Sequence, residues 1–401
     1  MNIYERYGVK PVINVAGAMT RYGGALMGQD TLDAMERAAH HSVPLDALQL
    51  AASKVIAART HAEAGIVTCG ASAGLTLATA ACMCGFDVAR MNRLPDTTGM
   101  ADEVLMPWHQ VSGYDHALTA AGAKIVGFGI PNDTADPHEV HIIDKWELES
   151  SITPQTTAIA YAARPGGHPP LDEVVEVARR HSIPVIIDAA AQVPPLGNLH
   201  SYIDTGADLV CISGGKGIRG PQASAILCGR RDLVGSALLQ MLDLAGERFD
   251  EWNPPADLIP KEALRGKPLH GIGRSAKVTR EAIIGLLVAL DGFTDEEFDR
   301  LCRLRLELVL MIRDRLAGLA GVRAQLDEEQ PGYYPVLGVR IDSSAAGRTA
   351  LDVVRKLKGE EPVIFVEDSC VDDGIIYIDS LNLEDRDTAE LIGDRLRAAL
   401  A

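Results

Sequence analysis

Short apolar runs rich in β-branched residues alternate with helical patterns from about residue 60 to residue 230. The runs lie at 65–68, 103–107, 124–127, 157–161, 184–188, 209–213 and 224–228. Among the intervening segments, 171–181 has apolar residues near helical spacing. This alternation predicts an α/β fold with a mostly parallel seven-stranded sheet in a large domain. Active sites of such sheets gather at the carboxyl ends of the strands.

The remaining third of the chain has a different pattern. Four prolines between residues 251 and 273 indicate a long loop, and a strongly periodic helical segment follows from 277 to 319 with a break near Gly292. Strands at 335–341, 363–367 and 375–379 then alternate with helices near 349–357 and after residue 384. We expect an N-terminal segment over residues 1–45, a large domain over 46–270, and an interdomain helix with a smaller α/β C-terminal domain over 271–401.

Charge and cysteine usage limit the function classes and the location. Lys plus Arg number 38 and Asp plus Glu number 55, and this net charge of −17 disfavours wide contact with nucleic acid. The basic pairs Arg303/Arg305 and Arg313/Arg315 are interpreted as a solvated helix face. The chain lacks an apolar run of about 18 residues and an apolar N-terminal stretch, so we expect neither a membrane helix nor a signal peptide. Seven scattered cysteines then favour a reducing, cytoplasmic location.

The segment from Ala207 to Ala223 contains the most informative lysine. An apolar strand delivers Ser213 and Lys216 into the glycine-rich turn Ser-Gly-Gly-Lys-Gly. A lysine just past a strand end can reach a ligand carbonyl, and in a desolvated pocket its amine becomes nucleophilic. An ordinary exposed loop lysine is the alternative. A nucleotide P-loop is a poorer match, because Gly217 stands where Ser or Thr is needed.

Two further strand ends support a cofactor site. Asp188 ends an apolar strand 28 residues before Lys216, where a carboxylate can hold a pyridinium nitrogen protonated. It could equally cap the next turn. After the 65–68 strand, Gly70, Ala71 and Ser72 begin a small-residue helix, whose backbone N–H groups would form a phosphate site. Ser72 could also be a plain N-cap.

The motifs together resemble those of fold-type-I enzymes that use pyridoxal 5'-phosphate (PLP). Within that group the chain is similar to the selenocysteine synthase (SelA-like) family, closest in pattern to the D-glucosaminate-6-phosphate ammonia-lyase type. The matching stretches span most of the chain: Pro11-Val-Ile-Asn-Val-Ala-Gly, Gly70-Ala-Ser-Ala-Gly, Gly113-Tyr-Asp-His-Ala-Leu, Ile187-Asp-Ala-Ala, Ser213-Gly-Gly-Lys with Gly220-Pro-Gln-Ala, and Arg274-Ser-Ala-Lys-Val.

The resemblance implies roles for particular residues. Lys216 would hold PLP as a Schiff base and act in catalysis, and Asp188 would pair with the pyridine nitrogen. The phosphate would be surrounded by Gly70, Ala71, Ser72 and Ser213. His109 would stack on the ring, although an ordinary polar loop position is equally plausible. Gln192 would border the ring, although a position on a helix surface is equally plausible.

Five basic residues are candidates for binding substrate or phosphate. Arg274 and Lys277 resemble positions from which a neighbouring subunit supplies cations. A late arginine often binds the substrate carboxylate in fold-type-I enzymes, but the stretch beginning at Tyr377 contains none. Arg21, Arg219 and Arg164 are the alternatives for that role.

The expected activity is a PLP-dependent lyase acting on a small amino acid or amino-sugar acid, by Cα deprotonation and β-elimination with release of ammonia. An amino-acid racemase or epimerase would share the first steps. An L-seryl-tRNA selenium transferase is disfavoured by the acidic balance and because the core motif begins at Pro11, which leaves no room for a tRNA-binding region. A non-catalytic PLP-binding protein is the remaining alternative. Histidine spacing does not support a metal hydrolase. We expect a homodimer or larger homo-oligomer, because family active sites form at subunit interfaces.

Overall fold

A computed structural model describes residues 2–129, 143–327 and 332–401. Their helices are α1 Gln29–Ala39, α2 Leu45–Thr60, α3 Gly70–Cys84, α4 Val88–Met91, α5 His116–Thr119, α6 Lys145–Ser150, α7 Leu171–His181, α8 Ser201–Thr205, α9 Arg231–Met241, α10 Arg280–Gly292, α11 Asp295–Leu316, α12 Ser343–Ala346, α13 Ala350–Gly359 and α14 Arg386–Leu400. Within these residues we find no helix with the length and apolar character needed to cross a membrane.

The strands of the same residues are β1 Ile13–Val15, β2 Ala64–Thr68, β3 Glu103–Pro107, β4 Lys124–Phe128, β5 Thr156–Ala162, β6 Val185–Asp188, β7 Leu209–Ser213, β8 Ala225–Gly229, β9 Val322–Leu326, β10 Val336–Ile341, β11 Ile364–Val366 and β12 Ile375–Asp379. Seven of them form one sheet in the order β2-β8-β7-β6-β5-β3-β4. Only β8 runs antiparallel to its neighbours in that sheet. The predicted α/β fold with a mostly parallel seven-stranded sheet is therefore confirmed.

The strands of this sheet form where the sequence is continuously apolar. Every residue of β2 and of β8 is buried, which is the pattern of strands covered on both faces. Helix α7 spans the predicted residues 171–181, and its valines are buried while most of its charged residues are exposed. Burial of these apolar faces fixes both the sheet and the covering helices.

The chain divides into two compact units. The large unit comprises residues 27–193 and 197–291, and the small unit comprises residues 1–26, 194–196 and 292–401. This division places residues 27–45 and 271–291 in the large unit.

The small unit combines two sheets with helices α11, α13 and α14. Strands β1 and β11 pair in parallel, and β12, β10 and β9 form an antiparallel sheet. Its core contains buried aliphatic residues from these elements, among them Val309, Leu337 and Ile392. The predicted helix break near Gly292 is confirmed, since α10 ends there and α11 begins at Asp295.

One arginine of the small unit corrects the sequence interpretation. Arg305, expected on a solvated face, is only 1% exposed. Its guanidinium lies 4.1 Å from the Tyr334 ring centroid and its Nη2 donates to the Leu381 carbonyl oxygen at 2.8 Å. Arg305 lies seven residues after buried Phe298 and three before buried Leu308, so it belongs to the buried stripe of α11.

Candidate active site

The topology of the large sheet brings several chain segments to one edge. Strands β2, β3, β5, β6 and β7 are parallel to one another, so their carboxyl ends lie on the same side. Asp188 at the end of β6 is the register partner of Cys211 in β7. Thr68 and Ser213, at the ends of β2 and β7, both pair with Ala225 of β8. The segments that follow these strands therefore meet at the carboxyl edge, as the fold predicts.

Lys216 lies in a tight turn after β7. The Gly214 amide donates to the Ser224 carbonyl oxygen at 2.9 Å, and the Gly220 amide donates to the Gly214 carbonyl oxygen at 2.8 Å. A Cβ at Gly215 would lie 2.4 Å from the Cα of Gln222, so a larger residue would displace the backbone of the turn. The glycines let the chain reverse closely around the lysine and fix its position.

The amine of Lys216 is perturbed by its surroundings. Burial lowers the pKa of Lys216, while Asp188 and Cys211 oppose this shift. The larger effect of burial increases the neutral fraction of the amine, which is the form that attacks a carbonyl. The electrostatic effect of Asp188 also indicates that these two predicted residues lie near each other. Asp188 itself accepts the backbone amide of Ala190 at Oδ1, at 3.0 Å.

The start of α3 forms the third part of the edge. Gly70 has φ +83°, a left-handed conformation that favours glycine, and the N-cap residue Cys69 makes no side-chain cap. Ser72 is exposed inside the helix, so the alternative that it is the N-cap is wrong. The backbone amides of Gly70, Ala71 and Ser72 occupy the first turn, where an anion is stabilised by N–H groups and by the helix dipole.

Cys211 connects this helix to the sheet. Its buried thiol donates to the Ala71 carbonyl oxygen at 3.3 Å, and burial raises the pKa of the Cys211 thiol well above its ordinary value. A Cβ at Gly74 would lie 2.6 Å from Cys211 Sγ. The small residue at position 74 therefore lets α3 pack directly over β7. Cys211 and Cys228 are both fully buried, which confirms their predicted place in the core.

His109 lies in the short 3₁₀ turn that follows β3. The residue as a whole is exposed, but partial burial of its imidazole, together with Arg164 and His168, lowers the pKa of His109. A neutral imidazole can stack on an aromatic ring and can also face solvent. The stacking role of His109 therefore stays a prediction.

Two buried polar residues near His109 were not selected from the sequence. Gln110 is 1% exposed, and its Oε1 accepts the Ala162 amide at 2.8 Å, which ties the end of β3 to the end of β5. Asp115 forms a capping box with Ser112, and its pKa is raised mainly by burial and further by Asp188. The sequence could have pointed to Asp115, because it belongs to the Gly113-Tyr-Asp-His stretch. For Gln110 the only indication in the sequence is its position shortly after a strand.

The other predicted residues lie at varying distances from this edge. Gln192 is in the turn after β6, where its carbonyl oxygen accepts Asn198 Nδ2 at 2.7 Å. Arg219 has φ +62° and its amide donates to the Lys216 carbonyl oxygen at 2.9 Å, so its backbone belongs to the lysine turn. Arg21 lies in the small unit with its guanidinium 4.7 Å from the Tyr22 ring centroid.

Arg274 and Lys277 line a separate cavity of the large unit. Arg274 Nη2 donates to Asp243 Oδ2 at 2.6 Å, and its buried Nε lacks a partner among the described atoms. The cavity has a volume of about 590 Å³, and Trp252 is also in its wall. Lys216 is not among the described residues that line it. A role for Arg274 and Lys277 at the active site of a neighbouring subunit stays a prediction.

Comparison with known proteins supports this arrangement. Residues 128–345 match the family model of class-V aminotransferases, and residues 51–195 match that of the DegT/DnrJ/EryC1/StrS aminotransferase family. A 5'-C-glycyluridine monooxygenase-decarboxylase from a Streptomyces species is 30% identical, over 94% of this chain and 86% of that protein. A D-glucosaminate-6-phosphate ammonia lyase from Salmonella typhimurium is 28% identical, over 99% of this chain and 97% of that protein.

A solved structure extends the comparison to the fold. A structure of D-glucosaminate-6-phosphate ammonia-lyase superposes with a TM-score of 0.79 and 27% identity. The superposition covers 100% of this chain and 98% of the other, so the likeness includes both units.

Proposed function

The chain belongs to the class-V aminotransferase family, and from that premise we propose that it is a PLP-dependent lyase releasing ammonia from an amino acid or amino-sugar acid. The observation that supports this most is the end-to-end likeness, in sequence and in fold, to D-glucosaminate-6-phosphate ammonia lyase. The SelA-like resemblance of the motifs agrees with this proposal and stays a prediction.

The residues at the carboxyl edge fit the cofactor. PLP needs an amine for its aldehyde, a carboxylate for its ring nitrogen and a set of donors for its phosphate. Lys216 offers an amine whose pKa is lowered by burial, and Asp188 acts electrostatically on it from the neighbouring strand. The uncapped first turn of α3 offers backbone donors. We therefore propose that Lys216 holds the cofactor covalently and that Asp188 accepts a hydrogen bond from the ring nitrogen.

The remaining predicted residues complete the pocket. The phosphate would be surrounded by Ser213 at the end of β7 and by Gly70, Ala71 and Ser72 just after β2, at the same edge of the sheet. His109 would cover a ring face and Gln192 would border the ring. Gln110 would act as a positioning residue for His109, since its side chain joins the β3 turn to β5.

When bound, PLP supplies an electron sink for the bonds at the substrate Cα. The protein must then take a proton from Cα and supply one to the departing β-hydroxyl. Lys216 Nζ is the group proposed to take the proton from Cα, because a lowered amine pKa brings the base closer to neutral pH. In the net reaction an α-amino-β-hydroxy acid loses its β-hydroxyl as water and its amine as ammonia. Water adds back at Cα, so the product is a 2-keto acid and no oxidant is consumed.

A second candidate function rests on the 30% identical relative. That protein is a monooxygenase-decarboxylase by name, so a reaction that consumes O₂ and releases CO₂ is the alternative from this comparison. An amino-acid racemase or epimerase would share Cα proton removal and release neither gas nor ammonia. The three reactions are separable by their products.

Product measurement under two atmospheres tests the proposal. The purified protein loaded with PLP is given D-glucosaminate 6-phosphate and a panel of other β-hydroxy amino acids and amino-sugar acids. We expect ammonia release at the same rate in anaerobic and in air-saturated buffer for at least one of them. CO₂ release that requires O₂ would support the monooxygenase-decarboxylase. Loss of optical activity without ammonia would support the racemase.

We also propose a homo-oligomer located in the cytoplasm. The structure describes all seven cysteines as free thiols, which agrees with a reducing compartment. Arg274 and Lys277 line a cavity whose described wall does not include Lys216, and we propose that they act at the active site of a neighbouring copy. Sedimentation of the loaded protein at several concentrations measures the assembly.

A further inference from the structure

A cluster of two histidines and an aspartate lies on the surface of the large unit, away from the residues assigned above. His61 directly follows α2, whereas His200 and Asp204 lie at the start and within α8. One ligand atom from each of the three lies within 4.8 Å of the others. The chain therefore gathers three metal-ligating side chains from two distant segments.

The contacts within the cluster are specific. His61 Nδ1 lies 2.9 Å from Asp204 Oδ1, and His200 Nδ1 lies 2.7 Å from Asp204 Oδ2. The two imidazoles stack with their centroids 4.3 Å apart. The Nδ1 atoms of the two histidines thus contact the two oxygens of one carboxylate.

The backbone supports this convergence. His200 is the N-cap residue of α8 and Asp204 lies four residues later, so their side chains meet on one side of the helix. His61 has φ 57°, a left-handed conformation uncommon for residues other than glycine, and it is the C-cap of α2. The side chains of His61, His200 and Asp204 are 54%, 39% and 47% exposed, so an ion from solvent can reach them.

We propose that His61, His200 and Asp204 bind a divalent transition-metal ion, with Zn²⁺ as the best match. Two imidazole nitrogens and one carboxylate oxygen are a ligand set that Zn²⁺ accepts in tetrahedral geometry, with a fourth position for water. In such a site the nitrogen and oxygen ligands lie about 3.4 Å apart, which follows from metal–ligand bonds of about 2.1 Å. The nitrogen–oxygen contacts of 2.9 and 2.7 Å are shorter than this, so the half-exposed side chains would move apart to admit the ion.

The proposed ion would be structural. It would join the C-terminal end of α2, which leads into β2, to α8, which leads into β7. Both strands deliver residues of the candidate active site at their opposite ends. The bound metal would therefore stabilise the large unit without touching the proposed cofactor.

Asparagine variants separate a metal site from a hydrogen-bonded cluster. In His61→Asn and His200→Asn the amide nitrogen can replace Nδ1 as a donor to Asp204, but an amide is a poor zinc ligand. Asparagine is also tolerated at the left-handed position 61. His181→Asn is the matched control, because His181 Nε2 lies 2.9 Å from Glu149 Oε1 on the same unit but has no second imidazole beside it among the described contacts.

The measurement is equilibrium dialysis of tag-free, chelator-treated holoenzyme against Zn²⁺, with bound metal counted by mass spectrometry. We expect one high-affinity equivalent in the wild type and in His181→Asn. Each cluster variant should bind that equivalent at least about tenfold more weakly. Zn²⁺ at a hundredfold excess over its Kd should raise Tm by about 3–5 °C in the wild type alone. Equal binding by wild type and both cluster variants would overturn the proposal.

A chemical footprint covers the case in which a variant fails to fold. Diethyl pyrocarbonate modifies accessible imidazoles, and peptide mass spectrometry locates the modified residues. One equivalent of Zn²⁺ added to the wild-type holoenzyme should protect His61 and His200 and leave His181 reactive. Unchanged modification of His61 and His200 would reject the site without any variant.

Discussion

Asp188 and Asp379 occupy the same local position in two different units. Each ends a β-strand after an isoleucine, and each accepts the backbone amide two residues later, Ala190 at 3.0 Å and Leu381 at 2.7 Å. The local sequences, Ile-Asp-Ala-Ala and Ile-Asp-Ser-Leu, are alike. In both cases the carboxylate accepts a hydrogen bond from a backbone amide of the turn that follows the strand.

Their surroundings differ. Asp188 acts on the amine of Lys216 and on the thiol of Cys211, two groups whose pKa values are shifted at the carboxyl edge of the large sheet. Burial raises the pKa of Asp379, and the hydrogen bond from the Leu381 amide and the charge of Arg305 oppose this upward shift. A Cβ at Gly17 would lie 2.6 Å from Asp379 Oδ2, so backbone closes over that carboxylate. The turn is a local property, whereas the chemistry depends on what the fold places opposite the carboxylate.

The strongest test of this difference is removal of the amine opposite Asp188. Lys216→Ala should lower the rate of ammonia release by at least about 10³-fold, because both the covalent attachment and the proton acceptor are lost. Borohydride should fix PLP to the wild-type peptide that contains Lys216 and to no peptide of the variant. A covalent adduct retained by Lys216→Ala would refute the assignment.

Matched substitutions of the two aspartates should affect activity to very different extents. Asp188→Asn should lower kcat by about 10²–10³-fold, because charge stabilisation at the ring nitrogen is lost. Asp379→Asn should change kcat by less than about twofold and the free energy of unfolding by less than about 1 kcal/mol, because the amide oxygen still accepts the Leu381 N–H. Steady-state kinetics and urea denaturation of both variants make the comparison. Similar losses of activity in the two variants would remove the distinction.

The packing of α3 over β7 gives a smaller effect. Gly74→Ala should lower the free energy of unfolding by about 1–3 kcal/mol, because the added Cβ meets Cys211 Sγ at 2.6 Å. Gly292→Ala is the control, since a Cβ there meets nothing within 4 Å and alanine is the better helix former. Urea denaturation of the cofactor-free protein measures both. An unchanged Gly74→Ala variant would show that α3 is free to shift.

The pH dependence of stability should have opposite signs at the two sites. The pKa of Lys216 is lowered on folding, so the cofactor-free native state holds fewer protons than the unfolded chain between the lowered pKa and about 10.5. Stability therefore rises with pH through that window, and Lys216→Met should be more stable than wild type at pH 7 by a margin that shrinks toward pH 10.

Asp379 is the contrasting case. The pKa of Asp379 is raised above its ordinary 3.8, so the native state holds the extra proton and stability falls as pH rises through the raised pKa. The difference between Asp379→Asn and wild type should grow from pH 4 to neutral pH in favour of the variant. Thermal unfolding across pH measures both effects, and slopes of the same sign at the two sites would contradict the assignments.

Much of the fold could be predicted from the sequence. All seven strands of the large sheet begin and end within one residue of the predicted runs, because buried strands are continuous apolar segments between turns. The strand β9, Val322–Leu326, was not predicted. It alternates partly buried and exposed residues and includes Arg323 and Gln325, so it lacks an apolar run.

The candidate site was predictable only in part. Lys216, Asp188 and the start of α3 were selected because each follows a strand, and the parallel sheet places them at one edge. Gln110 and Asp115 were missed because their importance depends on contacts with Ala162 and with the surroundings of Asp188, which lie 52 and 73 positions away in the chain.

The sequence by itself determined the strand and helix alternation, the strand-end positions of Asp188 and Lys216, and the glycines of the turn that holds the lysine. These follow from hydrophobic periodicity and backbone conformation, which act between neighbouring residues. Only the tertiary structure decided that Arg305 is buried and that His61 meets Asp204. Burial and electrostatic environment depend on distances in space between residues that are remote in the chain. The number of residues between two positions does not give that distance.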